Sequence, residues 1–289
     1  MKKFHPLAQL LVLVGITLLT FVFVTLLTVA ATIVLPGIDM QAPQTMRASQ
    51  AAMQILVFLL PAWIYNRMTG MFRFYEREES AKYGAALLAI VSIVVTLLAT
   101  PAVDWLTQWN DSLHLGDRWS TLEERLRNMS QMSTQLIEQM LGMSGWLNFI
   151  LNIIVVALLP AICEEMLFRG AIQSTLLKWW KNPHTAIIVT AAIFSLAHGD
   201  IFGFLPRFAL GILLGYLFFE TGSMWSNMAA HFTNNALMVT LYFLNNEGVI
   251  LLNPSEPLEV PALATACCLL AASALFIIYI VGNKRRKNR

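Results

Sequence analysis

The sequence has few charged residues and little excess charge of either sign. Asp, Glu, Lys and Arg make up 12% of its 289 residues, whereas 57% are hydrophobic. Soluble globular domains average about 25% charged residues, so this composition excludes an ordinary soluble domain. The formal net charge of +2 offers no broad basic surface, and we therefore expect no nucleic-acid partner. The class that remains is an all-α, polytopic membrane protein.

Cysteines are scarce as well, and no tract of the sequence is compositionally biased. The three cysteines, Cys163, Cys267 and Cys268, lie within apolar runs, which excludes a framework of structural disulfides. Glycine and proline occur in ordinary numbers and no internal repeat is found. Fibrous, repeat and disordered classes are therefore excluded.

Eight apolar stretches have the composition of membrane-spanning helices, although the second and fifth are short. They run from Leu7 to Leu35, Ala51 to Tyr65, Tyr83 to Val103, Trp146 to Cys163, Ala186 to Ala197, Phe204 to Phe219, Met224 to Leu244 and Pro261 to Val281. The first is about twice as long as the apolar region of a signal peptide, so we expect it to be retained as an anchor. Gly211 and Gly215 form a small-xxx-small pair, which predicts close helix packing. The predicted fold is a bundle of about eight transmembrane helices.

Basic residues flank these stretches in a pattern that predicts the orientation of the chain. Lys2 and Lys3 precede the first stretch and a basic cluster ends the sequence, so the positive-inside rule places both termini in the cytoplasm. Two links on the same side also carry basic residues, namely Arg67, Arg73, Arg77, Lys82, Lys178 and Lys181. Between Asp104 and Ser144, a capping-box pattern at Ser120 and Glu123 opens an amphipathic helix. We expect that helix to lie on the extracytoplasmic face.

Ionisable residues inside the apolar stretches are few, and each costs several kcal/mol unless it is neutralised. They are Glu164, Glu165, Arg169, His198, Arg207 and His231. Glu165 and Arg169 are one helical turn apart and are expected to pair. Glu164 points about 100° away and has no basic residue three or four positions later, so another helix, a water molecule or a metal ion must satisfy its charge. Arg207 is close to Asp200 and is expected to pair with it or to extend toward the membrane surface.

Two histidines and an amide are expected to lie near the carboxylate of Glu164. Glu164 and His198 are separated by nearly equal numbers of residues from Asn182, the predicted turn between two helices, so their side chains are expected at similar depth. His231 and Asn235 are one turn apart on one face of the seventh stretch. Matching the depths of the two histidines requires tilted, kinked or re-entrant helices. The predicted active site is a cluster of these groups inside the helix bundle.

Two kinds of hydrolytic chemistry suit this set of side chains. A buried carboxylate beside an imidazole holds and deprotonates a water molecule, while a second imidazole and an amide stabilise an oxyanion. In the alternative, Glu164, His198 and His231 bind a zinc ion that activates a bound water. Both fit peptide-bond hydrolysis, and the residues themselves commit the protein to no cofactor.

Three motifs in this order resemble those of the CPBP family, the CAAX proteases and bacteriocin-processing enzymes, also called Abi. The motifs are Glu164-Glu165-xxx-Arg169, Phe194-xxx-His198 and His231-xxx-Asn235. The resemblance covers about Trp146 to Leu244 and extends to the sequence around the motifs, such as Phe168-Arg169-Gly170. It implies an eight-helix intramembrane endopeptidase fold.

The resemblance also implies roles for the motif residues. Residues matching Glu164 and His198 activate a water molecule, and residues matching His231 and Asn235 stabilise the tetrahedral intermediate. The ion pair of the first motif supports the first glutamate. We favour the metal-free mechanism, because the set lacks the two-histidine helix face of His-Glu-x-x-His zinc sites.

The chain is expected to divide into three parts on the basis of this resemblance. Residues 1–144 hold the first three transmembrane helices and the amphipathic segment, residues 145–246 form the catalytic core, and residues 247–289 form the last transmembrane helix and a basic cytoplasmic tail. The expected substrate is a membrane-associated peptide or protein. Little sequence lies outside the core, which is typical of bacterial members, so we expect a multi-pass protein of the bacterial inner (plasma) membrane.

Two other functions fit parts of the sequence. Gly142-Met-Ser144-Gly145 matches the Gly-x-Ser-Gly pattern of rhomboid serine proteases, which would pair Ser144 with one of the histidines. That hypothesis leaves the glutamates and Asn235 unexplained. The other alternative is a non-catalytic membrane protein, either an immunity factor that binds its partner or a transporter that uses Glu164 and His198 as a proton relay.

Overall fold

Helices make up the regular structure of this protein. The computed structural model describes residues 4–35, 37, 39–70, 85–251, 254, 256 and 260–287, and within them no β-strand occurs. The longer helices of this described part are α1 Pro6–Val34, α2 Pro43–Thr69, α3 Ala85–Asp111, α4 Ser120–Leu141, α5 Trp146–Trp180, α6 Pro183–Leu196, α7 Phe204–Thr221, α8 Met224–Asn246 and α9 Ala262–Lys287. The predicted all-α class is confirmed.

Six of these helices are long and apolar enough to cross a membrane. They are α1, α2, α3, α5, α7 and α9. A spanning helix needs about 20 apolar residues because the hydrocarbon core is about 30 Å thick. The chain is therefore a polytopic membrane protein, as its composition predicts.

Two of the eight predicted spans do not meet this criterion. Helix α6, which replaces the predicted span from Ala186 to Ala197, has only 14 residues. At about 1.5 Å per residue it is about 21 Å long, which is less than the hydrocarbon core. Helix α8 has 23 residues but is less apolar, because it carries polar side chains such as Asn227, His231 and Asn235. The polar side chains that make α8 a candidate for the active site thus also lower its mean hydropathy.

Most of the basic residues that predict the orientation of the chain lie outside the described residues. Lys2 and Lys3, Arg73, Arg77 and Lys82 all lie there, and so do the side chains of the C-terminal basic cluster. The cytoplasmic position of both termini, the retention of the first span as an anchor and the division at residues 144 and 246 stay predictions.

Prolines explain two wide turns in the spanning helices. In α2 the stretch Gln54–Leu59 is π-helical and precedes Pro61, and in α5 the stretch Ile153–Leu158 precedes Pro160. A proline has no N–H for the carbonyl four residues back, and its ring clashes with that carbonyl. The residue before each proline bonds five residues back instead, which widens the turn. A third π-helical stretch, Met166–Gln173, follows Glu165 directly.

The described residues form two compact units. The first takes residues from Met1–Phe74, Thr134–Ala186 and Asn235–Pro254. Within it α1, α2 and α5 pack together, and a small core joins Leu141 at the end of α4 to Tyr242 of α8. Arg47 of α2 is buried here and donates from Nε to Oδ1 of Asn152 at 2.7 Å. This polar contact ties α2 to the first part of α5.

The second unit takes residues from Tyr75–Ser133, Ile187–Asn234 and Ser255–Arg289. Helix α3 packs against α7 and α9, and Leu210, Leu214 and Leu217 of α7 form a core cluster with Ala230 of α8. Ser92 of α3 and Ser226 of α8 pair through their hydroxyl groups at 2.7 Å. Small hydroxyl residues thus join two helices at close range, as is common in membrane bundles.

Gly211 allows α7 to lie very close to α6. A Cβ atom added at Gly211 would be 3.0 Å from both Cα and Cβ of Ala191 and 3.3 Å from the ring of Phe194. These distances leave no room for a larger side chain without movement of α6. The close packing predicted from the small-xxx-small pair is confirmed at this position.

We expect Gly211→Val to lower the free energy of unfolding by about 1–3 kcal/mol, because an overpacked core residue forces its neighbours apart. The measurement is an unfolding titration in detergent followed by circular dichroism. Gly15→Val is the control, since nothing lies within 4 Å of a Cβ atom added at Gly15. Equal losses in the two variants would contradict the close packing described for Gly211.

The amphipathic helix is present as α4, but its start differs from the predicted capping box. Ser120 follows a 3₁₀ turn at Asp117–Trp119 and already has helical dihedral angles, so it is not an N-cap. The Glu123 carboxylate accepts instead from the backbone N–H of Leu115 at 2.8 Å and from Arg127 Nε at 2.9 Å, and it lies 2.9 Å from His114 Nδ1. Glu123 therefore holds the segment before α4 rather than the first turn of the helix.

These contacts lower the pKa of Glu123 from 4.5 to about 2, chiefly through the N–H of Leu115 and then through His114 and Arg127. Because the pKa of the folded state is the lower one, the carboxylate stabilises this junction above about pH 4.5, and that contribution is lost as the pH falls toward 2. In a carbon-13 NMR titration of the glutamate side chains, we expect a midpoint near 2 for Glu123.

Arg127→Met should move that midpoint part of the way back toward 4.5. Arg125→Met is the matched control, since Arg125 is exposed and the Glu123 carboxylate bonds to Arg127 instead. An unchanged midpoint in the Arg127 variant, or a midpoint near 4.5 in the unmodified protein, would refute the network.

Candidate active site

Glu164 lies in α5 within the first unit and is only 5% exposed. Its Oε1 accepts a hydrogen bond of 2.8 Å from Nε2 of Gln54, which belongs to α2. The sequence predicted that another helix, a water or a metal would satisfy this carboxylate. In the structure another helix supplies a partner, and the partner is an amide rather than a charged group.

Glu165 and Arg169 form the ion pair expected from their spacing. Arg169 Nη1 lies 2.8 Å from Glu165 Oε1, and both side chains are fully buried. The two adjacent glutamates of α5 therefore have different partners, one on the same helix and one on α2. The hydrogen bond from Gln54 thus fixes Glu164 to α2, while the ion pair of Glu165 stays within α5.

His198 lies in the second unit, just beyond the end of α6 rather than inside a spanning helix. It occupies a turn that ends at Gly199, whose φ of 68° lies in the left-handed region that favours glycine. The imidazole is exposed, and its Nδ1 lies 2.8 Å from the Phe194 carbonyl oxygen. A carbonyl only accepts, so Nδ1 carries the proton and Nε2 is the acceptor nitrogen of the neutral ring.

Two polar side chains hold the segment that follows His198. Ser195 Oγ donates to the Phe204 carbonyl at 2.7 Å. Asn110, at the end of α3, donates to the Phe202 carbonyl and accepts from the N–H of Leu205. Sequence reasoning missed Asn110, although an amide near the end of an apolar helix was a usable signal.

Phe194 brings the two histidines of the second unit together. Its ring centroid lies 4.9 Å from that of His198 and 5.9 Å from that of His231, with both pairs in edge-to-face geometry. His231 is 2% exposed, so the two imidazoles have very different access to solvent. The second motif therefore contributes an aromatic contact between the histidines as well as His198 itself.

Asn235 and Arg207 are the other polar residues of the predicted set, and they have different surroundings. Asn235 is half-buried and lies one turn after His231 on α8. Arg207 pairs with Asp200, with Nη2 and Oδ2 3.0 Å apart, which confirms the predicted pairing. The first unit contains Glu164 and Asn235, and the second contains the two histidines.

A zinc site needs several donor side chains that converge on one point. Among the described residues, no group of three or more His, Cys, Asp or Glu side chains is placed to hold a metal ion. The donor groups of the described residues therefore do not support the zinc alternative.

A family model matches residues 146–237, and its description is type II CAAX prenyl endopeptidase, Rce1-like. Residues 146–237, here called the Rce1-like domain, are therefore similar to that family. All six predicted site residues lie within this domain, whereas Gln54 and Asn110 lie outside it. The domain thus contains the three motifs on which the resemblance to the CPBP family was based.

A relative of the chain is YpbD of Bacillus subtilis (strain 168), a protein described as uncharacterized. It is 35% identical over 86 residues, which cover 30% of this chain and 43% of YpbD. The match thus spans less than half the length of that relative. No solved structure matches the chain.

The serine of the rhomboid-like pattern lies outside the Rce1-like domain. Ser144 is exposed, and its hydroxyl group donates to the Asn246 carbonyl at 3.5 Å. A nucleophilic serine needs a base as its acceptor, and a backbone carbonyl is not one. These contacts argue against Ser144 as a nucleophile.

We expect Arg169→Met to lower the free energy of unfolding of the Rce1-like domain by about 3–5 kcal/mol, because it leaves the Glu165 carboxylate buried and uncompensated. Unfolding titrations in detergent measure this loss. Replacing both partners, Glu165→Leu with Arg169→Met, should recover part of it.

The partly exposed pair of Arg207 and Asp200 provides the comparison for this experiment. Arg207→Met should cost only about 0–1 kcal/mol, as exposed ion pairs do. A loss as large as that of Arg169→Met would contradict the distinction between the two pairs.

Proposed function

We propose that this protein is an intramembrane endopeptidase that hydrolyses peptide bonds of membrane-associated peptides or proteins, in the manner of CAAX proteases. The observation that carries the proposal is the Rce1-like domain at residues 146–237, which contains all six motif residues. The six candidate spans support it, since such an enzyme must hold its catalytic groups within the bilayer.

In the proposed reaction, Glu164 is the general base. Its carboxylate accepts a proton from a water molecule whose oxygen attacks the carbonyl carbon of the scissile peptide bond. The C–N bond then breaks, and the proton passes to the leaving nitrogen. The burial of Glu164 and its hydrogen bond from Gln54 support this role, because both restrict the orientation of the carboxylate.

His198 acts on the same water in this mechanism. Its Nδ1–H donates to the Phe194 carbonyl, so in this tautomer Nε2 is the nitrogen that accepts a hydrogen bond from the water. The exposed position of His198 at the end of α6 supports access by water and substrate.

His231 and Asn235 stabilise the oxyanion of the tetrahedral intermediate. The imidazole and the amide both supply N–H donors, and their spacing places them on one face of α8. Such donors act most strongly where water is excluded, and the burial of His231 fits that requirement.

We also propose that the protein lies in the bacterial plasma membrane with both termini in the cytoplasm and α4 on the outer face. Apolar side chains along one side of α4 are exposed, including Leu122, Met129, Met132 and Leu136. A helix with such a face, joined closely to α3 and α5, suits the membrane interface.

The test is peptidase activity of the purified protein in detergent against a library of membrane-associated peptides, with products identified by mass spectrometry. We expect Glu164→Gln and His198→Ala to lower kcat by about 10²–10⁴-fold, the usual contribution of a general base. Glu124→Gln and His184→Ala are matched controls on exposed residues and should keep full activity.

A zinc chelator distinguishes the two hydrolytic chemistries in the same assay. Activity that survives chelation supports the water activated by Glu164, whereas loss that zinc reverses would favour a metalloprotease. Cleavage that persists in both variants would refute the proposed site. A wild-type protein that cleaves nothing in the library, yet still protects cells or transports a solute, would favour the non-catalytic alternatives.

A further inference from the structure

Gln54 is a buried amide in an apolar helix, and it lies outside the Rce1-like domain. It is the first residue of the π-helical stretch of α2 and is 3% exposed. Uncharged polar residues in spanning helices need partners within the protein, because the hydrocarbon core offers none. The partners of the Gln54 amide therefore account for a polar residue at this position.

One side of this amide is accounted for by Glu164. Nε2 of Gln54 donates to Oε1 of the carboxylate at 2.8 Å, and both side chains are nine-tenths or more buried. A hydrogen bond to a carboxylate is stronger than one between neutral groups, and more so where water is excluded. The contact therefore restrains the rotamer of the group to which we assign the proton transfer.

The other side of the amide is unsatisfied. Gln54 Oε1 is buried and has no hydrogen-bond partner among the described residues. A buried carbonyl oxygen without a partner is costly, and such atoms are rare in native proteins. A donor bound at this oxygen would be held beside Glu164, since the same amide group contacts that carboxylate.

The packing of α2 on α5 keeps this contact in register. One turn after Gln54 and Glu164, the rings of Phe58 and Phe168 meet with their centroids 6.2 Å apart. Pro61 widens the turn that begins at Gln54, and such π-helical turns are frequent at functional sites. Two contacts at the same helical spacing thus define where the amide sits relative to Glu164.

We propose that Gln54 is a positioning residue for Glu164. Its N–H group orients the carboxylate, and its carbonyl oxygen accepts a hydrogen bond from the water that Glu164 deprotonates. Gln54 gains and loses no proton in the reaction. This inference rests on the proposed function and adds to it a residue that lies outside the Rce1-like domain.

The test replaces Gln54 with methionine, which has similar volume but no hydrogen-bonding group of comparable strength. We expect Gln54→Met to lower kcat by about 10- to 100-fold, because this is the rate factor that corresponds to the loss of one hydrogen bond to a charged group. KM should change by less than about twofold. Gln54→Asn keeps the amide but shortens the side chain, so it should lose a similar factor. It also serves if the methionine variant folds poorly.

Gln9→Met is the matched control. Gln9 is also a buried glutamine of the first unit, but its amide donates to the Phe4 carbonyl and its oxygen accepts from Tyr65. We expect this variant to lose stability without a change in kcat. A fall in kcat as large as that of Gln54→Met would assign the effect to the loss of a buried amide in general and would overturn the proposal.

A second measurement does not depend on activity. The infrared difference between the wild-type protein and Glu164→Gln isolates the carboxylate band of Glu164. This band should shift when Gln54 is methionine and should stay in place when Gln9 is methionine, because Gln54 bonds to that carboxylate and Gln9 bonds to Phe4 and Tyr65 instead. A band that stays in place in both variants would show that Gln54 does not bond to Glu164 and would overturn the proposal.

The two measurements separate this inference from the proposed function. A shifted band with reduced kcat supports the positioning role, and a shifted band with unchanged kcat overturns it. If Glu164→Gln abolishes cleavage but Gln54→Met does not reduce it, the proposed function stands and the positioning role fails. If the wild-type protein cleaves no substrate while the band shifts, the contact stands and the role of Gln54 in hydrolysis fails together with the proposed function.

Discussion

The arrangement of this protein depends on satisfying two adjacent carboxylates inside an apolar helix. Glu165 is neutralised on its own helix by Arg169, and Glu164 is held by an amide from α2. The two solutions differ chemically. In the ion pair each group neutralises the other, whereas a hydrogen bond from an amide adds no opposite charge. Adjacent residues of one helix thus have partners of different kinds.

The helices around these groups are also joined by a small number of polar contacts. Arg47 bonds to Asn152, Ser92 pairs with Ser226, and Asn110 holds the backbone after α6. Each contact joins two helices or closes a loop, and each replaces a hydrogen bond that water would otherwise make. Close approach at Gly211 adds packing between α6 and α7. The described residues therefore combine small-residue packing with a few well-placed polar pairs.

The two histidines have a common environment but unequal exposure. Phe194 touches both rings, His231 is buried, and His198 stands in a turn open to solvent. A buried imidazole suits charge stabilisation, and an exposed one suits exchange of water and product. This division is consistent with the separate roles assigned to the two motifs.

Much of the architecture was predictable because it depends on local patterns. Apolar stretches of sufficient length predicted the spans, and the three motifs predicted the resemblance that the family model finds at residues 146–237. The spacing of Glu165 and Arg169 predicted their pairing, since residues four apart lie on one helix face. Two of the eight predicted stretches do not meet the criterion for a spanning helix, because α6 has only 14 residues and α8 carries several polar side chains.

The sequence by itself determined the class of protein, the helices that carry the motifs and the residues whose charge needs a partner. Only the tertiary structure decided which partner Glu164 has, because Gln54 is 110 residues away and an amide in an apolar helix gives no periodic signal. It also decided that His198 stands beyond the end of α6 and that Phe194 touches both imidazoles. Helical periodicity is local and depends on neighbours along the chain. The pairing of distant side chains depends on how helices pack, and no single segment encodes that.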